Sequence, residues 1–383
     1  MNEAEKLKKV LVIQRRMTHY RLAFFNSLRE HCQNNGIELQ VAYGTATTAE
    51  NAKQDGAELS WGKKLKTHYL FDGKICWQPF ARYLVDTDAV VVALENKLLY
   101  NFIPQFFYKK LKFIYWGHGA NLQGNPKSLR ERFKRRVARY ADWWFGYTQM
   151  SVPLIERSGF PTERITVLNN SIDTAELAAQ CAAVTPESQA RWRNELNLTG
   201  KQVGIYIGSL YEEKRIDFLL SAAEQLQKAN PDFVLLIIGG GAQQTLVEQF
   251  CATHAWAHYL GVRKGQEKVD LLSLADVMLN PGLVGLGILD SFVAGVPMLT
   301  TDCGLHSPEI AYLHSGVNGL MTANDLASYV AEVQALLADD DALARLRAGC
   351  LNSAREYTVE NMARNFTQGL VQCLQQPPLR GRA

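Results

Sequence analysis

The stretch "QVGIYIGSLYEEKRIDFLLSAAEQLQKANPDFVLLIIGGG" (202–241) decides how this chain is read. An apolar run ends at Gly208, a short polar loop follows, and an amphipathic helix begins near Ile216. A second apolar run then ends in three glycines. Apolar, β-branched runs with a helical pattern between them are what strands of a parallel sheet, buried on both faces, look like. A loop that leaves such a strand and opens a helix gathers unpaired backbone N–H groups at the positive end of the helix dipole, which suits an anion. Lys214 and Arg215 stand in that loop beside Glu212 and Glu213. The two cations fit a diphosphate; equally, the acids neutralise them on a solvated turn. The glycines 239–241 allow close backbone approach to a ligand or simply make a tight turn. They do not form G-x-G-x-x-G, and no acid follows at ribose distance, so they are weak evidence for a dinucleotide.

The same alternation extends in both directions. Upstream, "KVLVIQ" (9–14), "IELQVAYG" (37–44), "DAVVVALE" (88–95), "KFIYWGHG" (112–119) and "DWWFGYT" (142–148) read as strands, with "YRLAFFNSLREHC" (20–32) helical after the first. Downstream come "AHYLGV" (257–262), "ADVMLNPG" (275–282) and "VPMLTTDCG" (296–304). A polar, alanine-rich segment up to about Gly200, which reads as a connector with helical pieces, separates the two series. The pattern predicts two doubly wound α/β domains, with ligands expected in the crevice between them at the C-terminal ends of the strands.

The loop "NPGLVGLGILDSFVAGVP" (280–297) holds a single acid. Gly285 and Gly287 flank Leu286, so backbone N–H groups there are open to a phosphate. Asp290, one helical turn on, is placed to accept hydrogen bonds from a ribose diol or merely to complement the helix dipole. His118 lies between two glycines straight after a strand, in reach of the expected cleft or serving structure alone. "DTD" (86–88) spells a metal–diphosphate motif but precedes a strand, at the wrong end for the crevice; a turn is expected there and no metal.

At 383 residues, 47% hydrophobic and 21% charged, the chain has the composition of a soluble globular protein of two domains. A net charge of +3 gives no argument for nucleic acid. Seven scattered cysteines without a C-x-x-C pair point to a reducing compartment. The N-terminal stretch reaches a basic residue after four or five apolar ones. No signal peptide and no spanning segment are therefore expected, and the expected location is cytoplasmic.

Taken in order, these segments resemble the bacterial family-4 ("group 1") glycosyltransferases of the GT-B fold. "VPLIERSGFPTERITVLNNSIDT", "GSLYEEKRIDFLLSA", "LLIIGGGAQQTLVE", "HYLGV", "LADVMLNP" and "AGVPMLTTDCG…PEI…SGVNGL" follow at near-family spacing over roughly residues 145–360. The resemblance implies two Rossmann-like domains facing a cleft: 1–174 on the acceptor side and 201–360 for the nucleotide-sugar. A connector over 175–200 would join them, and a C-terminal helix and tail over 361–383 would follow. It implies transfer of a sugar from a UDP- or GDP-sugar, with retention and no required metal or cofactor. Lys214 matches the family's diphosphate lysine and the loop amides of Val284, Gly285 and Leu286 its phosphate cradle. Asp290 falls at the second acid of the family's pair, the ribose acid. His118 matches its sugar-side histidine, so the resemblance gives His118 and Lys214 the catalytic roles. Two positions depart from the pattern. The family arginine is Ser209, which leaves Arg215 as a stand-in, and the first, sugar-facing acid is Gly282. Arg21 and Glu95 are expected on the acceptor side.

"KSLRERFKRRVARYADWW" (127–144) carries seven basic residues against Glu131 and Asp142, with Leu129, Phe133, Val137, Tyr140 and Trp144 as a helical stripe. It is expected to dock on an anionic membrane surface, which fits a saccharide or lipid-linked acceptor and cell-surface polysaccharide such as lipopolysaccharide; the alternative is a stripe packed on the N-terminal sheet with its basic side merely solvated. No aromatic stacking pattern accompanies it for nucleic acid. A nucleotide-sugar epimerase on the same fold, or a non-catalytic sugar-nucleotide-binding partner, are the competing expectations.

Overall fold

The computed structural model describes residues 7–51, 55–119 and 136–379. The chain divides into two compact units, one of Met1–Asp173 with Val359–Ala383 and one of Thr174–Thr358.

In the first unit the sheet is built of β1 (Lys8–Gln14), β2 (Ile37–Tyr43), β3 (Lys63–Lys64), β6 (Ala89–Ala93), β7 (Lys112–Gly117), β8 (Trp143–Gly146) and β9 (Ile165–Val167). Its order is β3-β2-β1-β6-β7-β8-β9, and every pairing in it is parallel. A small antiparallel hairpin, β4 (His68–Leu70) and β5 (Ile75–Trp77), lies outside it. The second unit holds β10 (Gln202–Ile207), β11 (Phe233–Ile238), β12 (Ala257–Tyr259), β13 (Val277–Leu279), β14 (Met298–Thr301) and β15 (Gly319–Thr322). Their order is β12-β11-β10-β13-β14-β15. Central strands are apolar throughout: Phe233 to Ile238 are all buried, as are Val10 to Ile13. A strand covered by helices on both faces has no solvated side on which to alternate.

Each order reverses at one place, between β1 and β6 in the first sheet and between β10 and β13 in the second. The loops leaving two strands there part to opposite faces and open a crevice at the strand C-termini. In the second unit those loops are 208–215 and 280–287.

Two segments differ from their sequence expectation. The connector 175–200 has the expected helical pieces, Thr174–Ala182 and Pro186–Glu195, but they lie inside the second unit, burying Leu177 and Trp192. Thr185 starts the latter helix with a capping box to Ser188. The C-terminal helix Val359–Gln375 belongs to the first unit. Its face of Met362, Phe366, Leu370 and Cys373 is buried against helix Leu22–Asn34 and the sheet, with Phe366 stacked on Phe145 at 4.1 Å. A spacing of four, four and three residues demands an apolar partner but does not say which one. Trp144, counted in a helical stripe from the sequence, is a residue of β8.

Candidate functional site

The loops at the switch point of the second unit meet in backbone contact. Leu283 donates its N–H to the Glu213 carbonyl at 2.8 Å, and the Lys214 ammonium donates to the Leu283 carbonyl at 2.5 Å. From the other side, Val284 donates to Nδ1 of His306 at 3.1 Å, and Ser307 donates to the Val284 carbonyl at 2.9 Å. All four backbone polar groups of Leu283 and Val284 are therefore satisfied by two other segments.

This packing accounts for Gly282. A Cβ there would lie 2.5 Å from the Glu213 carbonyl oxygen and meet the Lys214 carbonyl carbon as well. No side chain fits without moving the loop, so the first acid of the family's pair has no place at this position. The glycines 239–241 have a comparable cause. Gly239 packs so closely on the Gly208 carbonyl that a Cβ would overlap it, while Leu210 donates to the Gly240 carbonyl at 2.9 Å. These glycines serve loop-to-loop approach.

Burial pulls the Lys214 ammonium down to about 8 from its ordinary 10.5. Its ammonium meets the Leu283 carbonyl, while the neighbouring Arg215 guanidinium reaches the Pro281 carbonyl at 3.4 Å. Arg215 is differently placed. Its backbone is left-handed (φ 55, ψ 51), and its guanidinium donates to Thr301 Oγ1 at 3.0 Å and Asn324 Oδ1 at 2.5 Å. It also lies over the Phe218 ring at 4.3 Å. The charge expected to stand in at Ser209 thus braces the loops of its own sheet. Ser209 is exposed, and its carbonyl accepts from the Tyr206 hydroxyl at 2.9 Å.

Asp290 is 8% exposed on helix Ile288–Ala294 and pairs with Lys268 at 2.8 Å. Lys268 comes from helix Gly265–Leu272, two segments away in sequence. Among the described residues the N–H groups of Gly285, Leu286 and Gly287 donate to no protein group, and these residues are half-buried to exposed. Lys214 from the 208–215 loop thus meets the 280–287 loop, which carries three backbone amides without a protein acceptor and opens the helix that bears the Asp290 carboxylate. That arrangement can hold a diphosphate and accept hydroxyl hydrogen bonds beyond it.

The first unit gathers a second group of the expected residues. The exposed His118 ring lies 4.4 Å from Tyr147, just past the ends of β7 and β8. Arg21 is 7% exposed at the start of helix Leu22–Asn34. Its guanidinium lies 5.0 Å from the Trp116 ring and 5.8 Å from Tyr147. Arg21 and His118 therefore share one aromatic neighbourhood. Glu95 lies past the end of β6 and pairs with Lys97 at 3.4 Å. In the "DTD" segment Asp86 is in a left-handed turn, and Asp88 accepts from the Lys9 N–H at 2.8 Å, closing the entry to β6. Among the described residues no group of three or more His, Cys, Asp or Glu could hold a metal ion. No described helix is long and apolar enough to cross a membrane. Of the basic segment, 127–135 lies outside the described residues.

Sequence reasoning missed His306 and Lys268. His306 sits in "CGLHSPEI", where only the pairing of β14 beside β13 brings it onto Val284. Lys268 carried no signal, because its partner is 22 residues away on another helix.

Residues 201–339 match the family model described as "Glycosyl transferases group 1". The glycogen synthase of Mycobacterium tuberculosis is 29% identical over 205 residues, covering 52% of this chain and 46% of that protein. The GDP-mannose-dependent alpha-(1-6)-phosphatidylinositol monomannoside mannosyltransferase of Mycolicibacterium smegmatis is 26% identical over 192 residues, covering 47% and 48%. The chain spans about half the length of the curated relatives it matches. Among solved structures, Anabaena HepE in complex with UDP superposes with a TM-score of 0.72 at 13% identity, over 95% of this chain and 100% of that one. The architecture is therefore GT-B: an α/β chain with two doubly wound, Rossmann-like halves. The stretch that resembles the group 1 glycosyltransferases lies within the second unit.

Proposed function

We propose that this chain transfers a sugar from a UDP- or GDP-sugar to a saccharide or lipid-linked saccharide acceptor in cell-surface polysaccharide assembly. In this reading transfer proceeds with retention at the anomeric carbon and needs no metal. The observation that carries it is the arrangement of Lys214, the 285–287 amides and Asp290 at the switch point of the domain matched to the group 1 model. A diphosphate leaving group is stabilised by a fixed cation and backbone N–H groups aimed where charge develops. Asp290 would accept the ribose hydroxyls, with Lys268 orienting its carboxylate. One relative is a glycogen synthase, the other a GDP-mannose-dependent mannosyltransferase, and the HepE complex holds UDP, which supports a nucleotide-sugar without choosing its base.

With no acid possible at Gly282 and no protein nucleophile identified, the reaction would pass through an oxocarbenium-like state on one face of the sugar. The departing diphosphate would take the acceptor's proton. The protein then contributes positioning and electrostatics. His118 is assigned to the sugar side, and Arg21 with its rings to the acceptor side.

A peripheral site on the cytoplasmic membrane face is part of the proposal. Beyond the 127–144 segment, helix Phe102–Phe107 ends in Phe106 and Phe107, 46% and 78% exposed, followed by Tyr108 and the exposed Lys109 and Lys110. Phe106 meets Tyr140 at 6.3 Å, which sets Arg139 beside the same patch. Exposed aromatics ringed by cations suit anionic headgroups.

The test is calorimetric and thermal-shift binding of UDP, GDP, ADP and CMP to wild type and Asp290→Ala. One nucleotide should raise the melting midpoint by mass action, and Asp290→Ala should lose that rise. Absence of binding by all four would overturn the donor site. Binding without turnover on any acceptor would leave the non-catalytic partner reading.

A further inference from the structure

The His306 ring bridges two loops of the second unit. Nδ1 accepts the Val284 N–H at 3.1 Å, and Nε2 lies 2.8 Å from the Thr301 carbonyl at the end of β14. These two bonds fix the proton. Nε2 must carry hydrogen to meet a carbonyl, which leaves Nδ1 bare as the acceptor. An imidazolium would set N–H against N–H at Val284, so the bridge forms only with the neutral ring.

We propose that neutral His306 is a positioning residue for the diphosphate loop, tying Val284 to β14 so that the Gly285 and Leu286 amides stand ready for the donor. The inference rests on the donor-site reading above. It explains why a loop lacking the family's acid keeps one conformation: Glu213 and Lys214 hold one edge, His306 and Ser307 the other. The groups facing the ring are Lys214 from the preceding loop, and Asp302 and Cys303 from its own, with the Cys303 Sγ 3.6 Å from Nε2. Burial, with Lys214 adding to it, holds the imidazole below its ordinary 6.5, against the Thr301 carbonyl and Asp302, which favour the proton. The tie is therefore complete at neutral pH and is lost as pH falls through the folded-state value.

The test measures UDP and GDP affinity from about pH 5 to pH 8 on wild type, His306→Ala and His306→Asn, with amide hydrogen exchange over 283–287 on the free protein. Asparagine offers a carbonyl in place of Nδ1 and does not titrate. Wild type should weaken toward acid, and His306→Ala should bind about tenfold more weakly throughout, a loss of ~1.4 kcal/mol. His306→Asn should keep most affinity and lose the acid limb. Exchange at Val284 should quicken in His306→Ala. Wild type binding neither nucleotide would defeat the donor-site reading itself. Wild type binding one, with both variants matching its affinity and pH profile, would overturn the His306 inference alone. So would faster exchange with unchanged binding, since His306 would then be a loop staple only.

Discussion

Replacing Gly282 by alanine tests the packing that separates this loop from the family's pattern. The added Cβ would meet the Glu213 and Lys214 carbonyl groups, at 2.5 Å from the Glu213 oxygen, and both are backbone atoms that cannot rotate away. The backbone at Gly282 is not left-handed, so the cost is steric alone. Overpacking of this kind costs about 1–3 kcal/mol. Relief by moving the loop would break the Leu283–Glu213 bond, worth about 1 kcal/mol, and the charge-assisted Lys214–Leu283 bond, worth about 1.5–3 kcal/mol. The two routes together bracket a loss of about 1–4 kcal/mol. For a unit of roughly 185 residues that is a fall in Tm of about 2–16 °C, at about 2–4 °C per kcal/mol. Differential scanning calorimetry on wild type, Gly282→Ala and Gly282→Glu would read it, with the transition of the second unit followed by its response to nucleotide. A loss under about 0.5 kcal/mol for the alanine variant would refute the reasoning and make the absent acid a matter of chemistry instead of space.

Two titrations follow from the same geometry. Lys214 should impose an alkaline limb on nucleotide affinity, which weakens as pH rises through about 8; in Lys214→Arg, measured by calorimetry, that limb should vanish, and a flat wild-type profile would count against the diphosphate contact. Because the lysine's folded value is depressed, the unfolded chain binds more protons between about 8 and 10.5, so this group makes stability rise with pH over that window. In the first unit, Glu50 takes both guanidinium nitrogens of Arg15 at 2.8 and 2.6 Å and the Thr47 N–H at 3.0 Å, which holds its carboxyl down at about 2. That stabilisation is present above the ordinary 4.5 and is lost as pH falls toward 2. Urea midpoints should show it as about 1–2 kcal/mol after solvent screening, and Glu50→Gln should remove that pH dependence.

Much of the architecture was legible in the chain. Parallel strands buried on both faces leave continuous apolar runs, and "KVLVIQ", "FVLLII" and their kin could be nothing else at that length between helices. The loops after them, with Lys214 and Asp290, were findable because function at a switch point must sit where strands end. Short pieces such as Lys63–Lys64, Ile165–Val167 and Gly319–Thr322 were not, since two to four residues carry no period of their own.

By itself, then, the sequence determined which segments are strands, which are helices, and which loops gather charge, because those follow from spacings of two to four residues. Only the tertiary structure decided the partners: that the last helix returns to the first unit, that Arg215 braces its own loops, that Lys268 reaches Asp290, and that His306 holds Val284. It also decided that Gly282 has no room for a side chain. An amphipathic face or a lone charge states what it needs, and what supplies it depends on the order of strands in the sheet, which local spacing does not encode.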